Sequence, residues 1–188
     1  MALVISFTAA YTLVLFAFGL AIDSPLTQLY TGINLGLFIL FAVLHRWARW
    51  SLQALWALSL VGLGNMIGGV FLVEGVPLYT AKFIGPLRYD KFFHAVASGA
   101  MVVLAWEAMI RWAGDGFNRT MMLFVMTFLV VMGGGAVVEI AELIGSSVSD
   151  VSVGDYANNA LDLVANAVGA LIVIGVIWKT DRRISPRR

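Results

Sequence analysis

Six apolar runs, most of them long enough to cross a bilayer as a helix, divide the chain. They cover residues 4–21, 30–44, 53–73, 92–112, 121–144 and 157–178, the second being the shortest and opening nearer Pro25 if its flank is included. Polar and turn-forming residues gather between them, as "IDSP" at 22–25, "HRWARW" at 45–50, "EGVP" at 74–77, "AGDGFNR" at 113–119 and "GSSVSD" at 145–150. Strand-like alternation is absent. In lipid a lone segment satisfies its own backbone groups only as a helix. The pattern therefore predicts an all-α, polytopic transmembrane bundle of six spans, forming one integral membrane domain over residues 1–188.

Composition narrows this further. Of 188 residues, 61% are hydrophobic and 12% charged, outside the range of water-soluble domains and with no room for a second, soluble one. A net charge of +1 excludes a nucleic-acid footprint. With no cysteine there is no disulfide, thiolate metal site or cysteine nucleophile. The first run lacks a preceding Lys or Arg, unlike a secretory signal peptide, and is counted as a retained span.

Basic residues set the expected orientation. Arg46, Arg49, Arg111, Arg119, Lys179, Arg182, Arg183, Arg187 and Arg188 fall on one side of the six spans, and only Lys82, Arg88 and Lys91 on the other. Cytoplasmic loops carry the excess, so both termini are expected in the cytoplasm of a cell whose inner (cell) membrane holds the protein. Trp47, Trp50, Trp106, Trp112 and Trp178 fall near cytoplasmic ends and are expected as interfacial anchors. Gly64, Gly68, Gly69 and Gly133 to Gly135 are expected where helices approach closely. Glu107 and Arg111, four apart, are expected to pair. His45 is expected in solvent at the interface, and Asn34 and Asn65 in interhelical hydrogen bonds. Glu74 either joins an acidic cluster or meets water.

The acids decide what the chain could do. Asp90 and His94 open the fourth span, Glu139 and Glu142 close the fifth, and Asp155 and Asp162 open the sixth, so all six lie toward the extracytoplasmic face. Asp90 and His94 share a helix face, as do Glu139 and Glu142. Asp155, Asn158 or Asn159, Asp162 and Asn166 make one stripe down the sixth helix. A charged side chain in hydrocarbon costs on the order of a few kcal/mol, so these stripes are expected to face one another around a polar pocket. One imidazole with several carboxylates suits a divalent metal ion such as Zn, Mn, Mg or Fe. The same residues also suit a structural network in which Lys91 or Arg88, with His94, neutralises the acids and locks the helices together.

The order "YDKFFH", then "EIAEL", then "DYANNALDLVANAVGA" resembles the VanZ-like and YjdF-type families of small polytopic membrane proteins. The resemblance rests on Asp90, Lys91, His94, Glu139, Glu142, Asp155, Asp162, Asn166 and Gly169, and covers about the C-terminal half. VanZ-like proteins place Gln and a basic residue after the second acid, whereas "LIGSSVSDVSVG" has neither, which leans the resemblance toward the YjdF type.

Two function classes follow. In one, a metal-assisted hydrolase or transferase acts on a lipid-linked phosphate or ester, with Glu139 or Glu142 as base and Arg88 or Lys82 holding the anionic headgroup of a membrane lipid. In the other, a non-enzymatic accessory or scaffold subunit docks other integral membrane proteins. A transporter is a third class, less favoured because there is no inverted repeat. The topology is checked by reporter fusions: those at Gly75 and Gly154 should read outside and one at Gly116 inside, and the reverse pattern would overturn the orientation.

Overall fold

The computed structural model describes residues 1–85, 87–113, 121–148 and 156–180, with 145–148 as backbone alone. Six helices carry the chain: α1 (Ala2–Ala21), α2 (Thr27–Ala48), α3 (Leu52–Val70), α4 (Tyr89–Ala113), α5 (Met121–Val148) and α6 (Tyr156–Thr180). Each is long and apolar enough to cross a membrane. Large apolar side chains stay exposed around the outside, among them Leu13, Ile39, Leu129, Leu171 and Ile172. Such a surface suits lipid as solvent. α4 opens at Tyr89, earlier than the hydropathy alone suggests, so Asp90 and Lys91 sit in its first turn.

Among the described residues, the strands all lie in the α3–α4 connection. Strands β1 (Leu72–Val73) and β2 (Val76–Pro77) form one antiparallel hairpin. Its two turn residues, Glu74 and Gly75, both have positive φ, 53° and 82°, the combination of a two-residue type I′ turn. This geometry holds Glu74 exposed to solvent, settling its two expected places in favour of water. Strands β3 (Lys82–Ile84) and β4 (Leu87–Arg88) form a second hairpin. Between the two hairpins a short 3-10 turn, Leu78–Thr80, pushes Tyr79 into the bundle, where its hydroxyl donates to Asn65 Oδ1 at 2.6 Å. Burial holds that hydroxyl well above the usual tyrosine range, with the negative charges nearby adding to the effect, so it stays a donor. Asn65 thus ties α3 to the connection, whereas Asn34 makes the expected interhelical bond, to Thr12 Oγ1 at 3.0 Å. Gly68 and Gly69 leave the space filled by the rings of Tyr79, Tyr89 and Tyr30.

α1, α2 and α3 pack on one another, as do α4, α5 and α6, and α3 against α4 joins the two trios. α4 against α6 is the most extensive helix contact. It depends on Gly169, where an added Cβ would collide with the backbone carbonyl of Ala95. Of the three consecutive glycines in α5, only Gly135 meets a neighbour, the Asn166 side chain; Gly133 and Gly134 have open space beside them, so the packing role expected for all three belongs to one.

Several expected anchors turn inward. Trp47 and Trp112 are 83% and 92% exposed, as an interfacial role requires, and Trp178 is partly so. Trp50 and Trp106 are instead 8% and 7% exposed. Trp50 donates to the Leu104 carbonyl at 2.8 Å, and Trp106 stacks on Phe124. His45, expected in solvent, stacks its ring on Trp50. Glu107 does not serve as an intrahelical partner for Arg111. Its two oxygens accept from Ser51, Oγ at 2.6 Å and backbone N at 2.8 Å, fixing the cap residue that starts α3. A local i,i+4 rule misses this because the donors lie 56 residues away.

The Gly169 crossing gives a direct test. Gly169→Val should cost about 3 kcal/mol or destroy the fold, because the obstacle is backbone and cannot rotate away. Gly133→Ala should stay within about 1 kcal/mol of wild type or gain stability. Thermal unfolding in detergent, followed by circular dichroism, compares the two; equal losses would refute the assigned contact.

Candidate metal centre

α4 begins, α5 ends and α6 begins at the same end of the bundle, which brings the acidic stripes together as the sequence leads one to expect. His94 is at the centre. Its Nε2 lies 3.3 Å from Asp90 Oδ1, 3.6 Å from Glu139 Oε1 and 3.7 Å from Asp162 Oδ1. Asp90 reaches the ring from one turn earlier on α4, Glu139 comes from α5, and Asp162 from α6. One ligand atom each of Asp90, His94 and Asp162 lies within 4.8 Å of the others. Donors around a metal at about 2.1 Å are themselves about 3.0–3.4 Å apart, so the ring with Asp90 and Asp162 comes near the spacing a cation needs, while Glu139 approaches the ring but is not one of this mutually close set.

The other face of the ring is held in place. His94 Nδ1 is 3.2 Å from Asn166 Oδ1, which also accepts from Ser98 Oγ at 2.7 Å. With a carboxamide oxygen on that side, the ring hydrogen is on Nδ1, and Nε2 faces the carboxylates. A bare nitrogen lone pair among three acids is repulsive. Nε2 therefore carries a proton, or a cation stands between it and the acids. A histidine whose other N–H is fixed by an oxygen acceptor is the usual arrangement of a metal ligand.

Glu139 is 7% exposed, and its Oε1 has no hydrogen-bond partner. An unpartnered carboxylate oxygen is costly to bury, and this one faces His94 Nε2. Asn166 Nδ2 is likewise buried without a partner, beside Gly135.

Lys91 supplies the positive charge. Its Nζ lies 2.8 Å from Asp90 Oδ2, 2.6 Å from Asp162 Oδ1, and 2.8 Å and 3.2 Å from the side-chain and backbone oxygens of Asn158. Asn158 in turn donates to Asp162 Oδ2 at 2.9 Å. Of the two asparagines offered by the stripe, Asn158 is therefore the one that meets the cluster's Lys91 and Asp162.

The remaining candidates separate. Glu142 accepts from Tyr30 Oη at 3.5 Å, across from α5 to α2, and is not one of the closely spaced ligand atoms. Tyr30 carries no sequence signal, being one aromatic residue in an apolar run. Asp155 lies outside the described residues. Lys82 and Arg88 face each other across the β3–β4 register, both exposed, and among the described residues no ion pair or hydrogen bond joins them to the cluster. Ser98 escapes the reading of acids and histidines, although it lies one turn beyond His94, the same spacing that pairs Asp90 with His94.

The family model for DUF2238, a predicted membrane protein, matches residues 3–183. The chain belongs to the DUF2238 family. No curated protein and no solved structure matches it. The DUF2238 match takes in the first three spans as well as the C-terminal half that carries the acidic motifs.

The tautomer is open to measurement. The chain has two histidines, so nitrogen NMR on labelled protein, with His45→Gln to assign the signals, should find hydrogen on His94 Nδ1. Asn166→Ala should abolish that preference and cost about 1–3 kcal/mol through the lost partners of His94 and Ser98. Hydrogen found only on Nε2 would mean that the Asn166 carboxamide turns its nitrogen, not its oxygen, toward the ring.

Proposed function

We propose that this small integral membrane protein binds a divalent cation in the pocket at the His94 ring, at the extracytoplasmic end of a bundle in the inner (cell) membrane. One observation carries the proposal: Nε2 is met by oxygens of Asp90, Glu139 and Asp162 at 3.3–3.7 Å, and the Glu139 oxygen is buried with no hydrogen-bond donor. Asp90, His94 and Asp162 are the first ligands in this reading, with Glu139 joining them through the oxygen 3.6 Å from Nε2 and Glu142 and Asp155 extending the acidic wall. The imidazole and carboxylate donors suit Zn, Mn or Fe, or Mg with retained waters. Bound there, the cation would supply Lewis-acid polarisation of a phosphoryl or carbonyl oxygen.

The finer reading is an enzyme acting on a lipid headgroup. Glu139 or Glu142 takes a proton from water, and Lys82 and Arg88, side by side on an exposed hairpin, hold the anionic group. Kinship with the VanZ-like and YjdF-type proteins belongs to this same proposal and rests on the Asp90, Lys91, His94 start of α4 and the acids of α5 and α6. A second reading has its own support. Lys91 already bridges Asp90, Asp162 and Asn158, as interhelical glue in an accessory or scaffold subunit would.

Equilibrium titration of purified, chelator-free protein with each of the four cations separates these readings. Wild type should bind one ion of a preferred metal. His94→Ala and Glu139→Gln should each weaken binding about tenfold or more while helical content is kept. Wild type that folds but binds none of the four would overturn the metal reading in favour of the accessory subunit.

A further inference from the structure

The ammonium of Lys91 and the imidazole of His94 converge on one atom. Asp162 Oδ1 is 2.6 Å from Lys91 Nζ and 3.7 Å from His94 Nε2. The other acids do not share this conflict. Asp90 presents Oδ2 to Lys91 and Oδ1 to His94, so it can serve both. Glu139 Oε1 has no hydrogen-bond donor at all. Asp162 Oδ2 accepts from the Asn158 amide at 2.9 Å, and Oδ1 is the oxygen that faces His94 Nε2, so Oδ1 is the one a metal at the ring would use. A dication on that oxygen would lie a few ångströms from Nζ, where like charges repel strongly in a poorly solvated site. The two cations are therefore rivals for a single oxygen.

We infer that Lys91 is a tethered competitor of the divalent cation: its ammonium and the metal are alternative occupants of Asp162 Oδ1, so metal entry drives Lys91 off Asp162. The inference rests on the metal-binding reading and assigns that site its regulation. Lys91 is also a link between the first turn of α4 and the first two turns of α6, through Asp162 and both oxygens of Asn158. Taking the ammonium off Asp162 weakens that link at the end of the bundle where the pocket lies. The α4–α6 contact deeper in the bundle, at Gly169 and Ala95, does not involve Lys91 and holds the pair together in both states. Cation binding and the closure of the two helix ends thus oppose each other through one side chain.

Two measurements with Zn and Mn test this. By titration, Lys91→Gln should bind the preferred ion at least about tenfold more tightly than wild type, while Lys91→Arg, which keeps the charge, should not. In wild type, amine-reactive labelling read by mass spectrometry should rise at Lys91 when the metal is added and stay constant at the exposed Lys82. The labelling arm needs no variant, so a misfolded Lys91→Gln leaves the inference testable. Equal affinity of wild type and Lys91→Gln, or Lys91 labelling that falls on metal addition, would overturn the inference while leaving the metal site intact. Binding by neither chain would instead defeat the metal reading on which it rests.

Discussion

The α4–α6 crossing governs this molecule, and it joins two demands that normally conflict. The helices touch backbone to backbone where Gly169 meets Ala95, an approach that any side chain at 169 would block. That closeness brings the polar stripe of α6 within reach of α4, so that Asn166 meets His94 and Ser98, and Asp162 meets Lys91. In hydrocarbon, polar groups without partners are costly, and the close crossing is what gives them partners. Small residues and charged ones therefore belong to one device: the glycine sets the distance, and the stripe uses it.

The rest of the bundle is arranged around that pair. α5 adds the Glu139 carboxylate from the third side and uses Gly135 to leave room for the Asn166 side chain. α3 meets α4 through Glu107 and Ser51 at one end and through Tyr89 and the Gly64 carbonyl at the other. The α3–α4 connection closes over the second of these contacts with Tyr79, stacked on Tyr30 of α2, and Tyr30 in turn reaches Glu142 of α5. A chain of aromatic rings and hydroxyls thus links the first trio of helices to the acidic end of the second.

Chemically, the cluster is a choice between two ways of neutralising buried acids. A protonated ring with Lys91 would make an ion-pair network, which specifies helix registration more surely than it adds stability. A divalent ion at Nε2 would neutralise the ring's close neighbours Asp90 and Asp162 and bring a positive charge to the otherwise unpartnered Glu139. The unpartnered oxygen is what supports the proposed ion, and in that proposal the Asp162 oxygen shared by Lys91 and the ring makes the two states exclusive at one atom instead of independent.

Much of this was legible in the sequence. Hydropathy alone placed six spans, because a bilayer admits few structures and fixes their length. Helical spacing put Asp90 with His94 and aligned Asn158, Asp162 and Asn166, since positions three and four apart share a face whatever surrounds them. What lay beyond the sequence was every choice between distant partners. Glu107 turned from its neighbour Arg111 to Ser51, Trp50 and Trp106 turned from the interface into the core, and one of three consecutive glycines met a neighbouring side chain. Glu142 went to Tyr30, and Lys91 took its place between Asp90 and Asp162. Local periodicity says which residues share a face; only the packing of one helix on another decides which atoms across that face come within bonding distance.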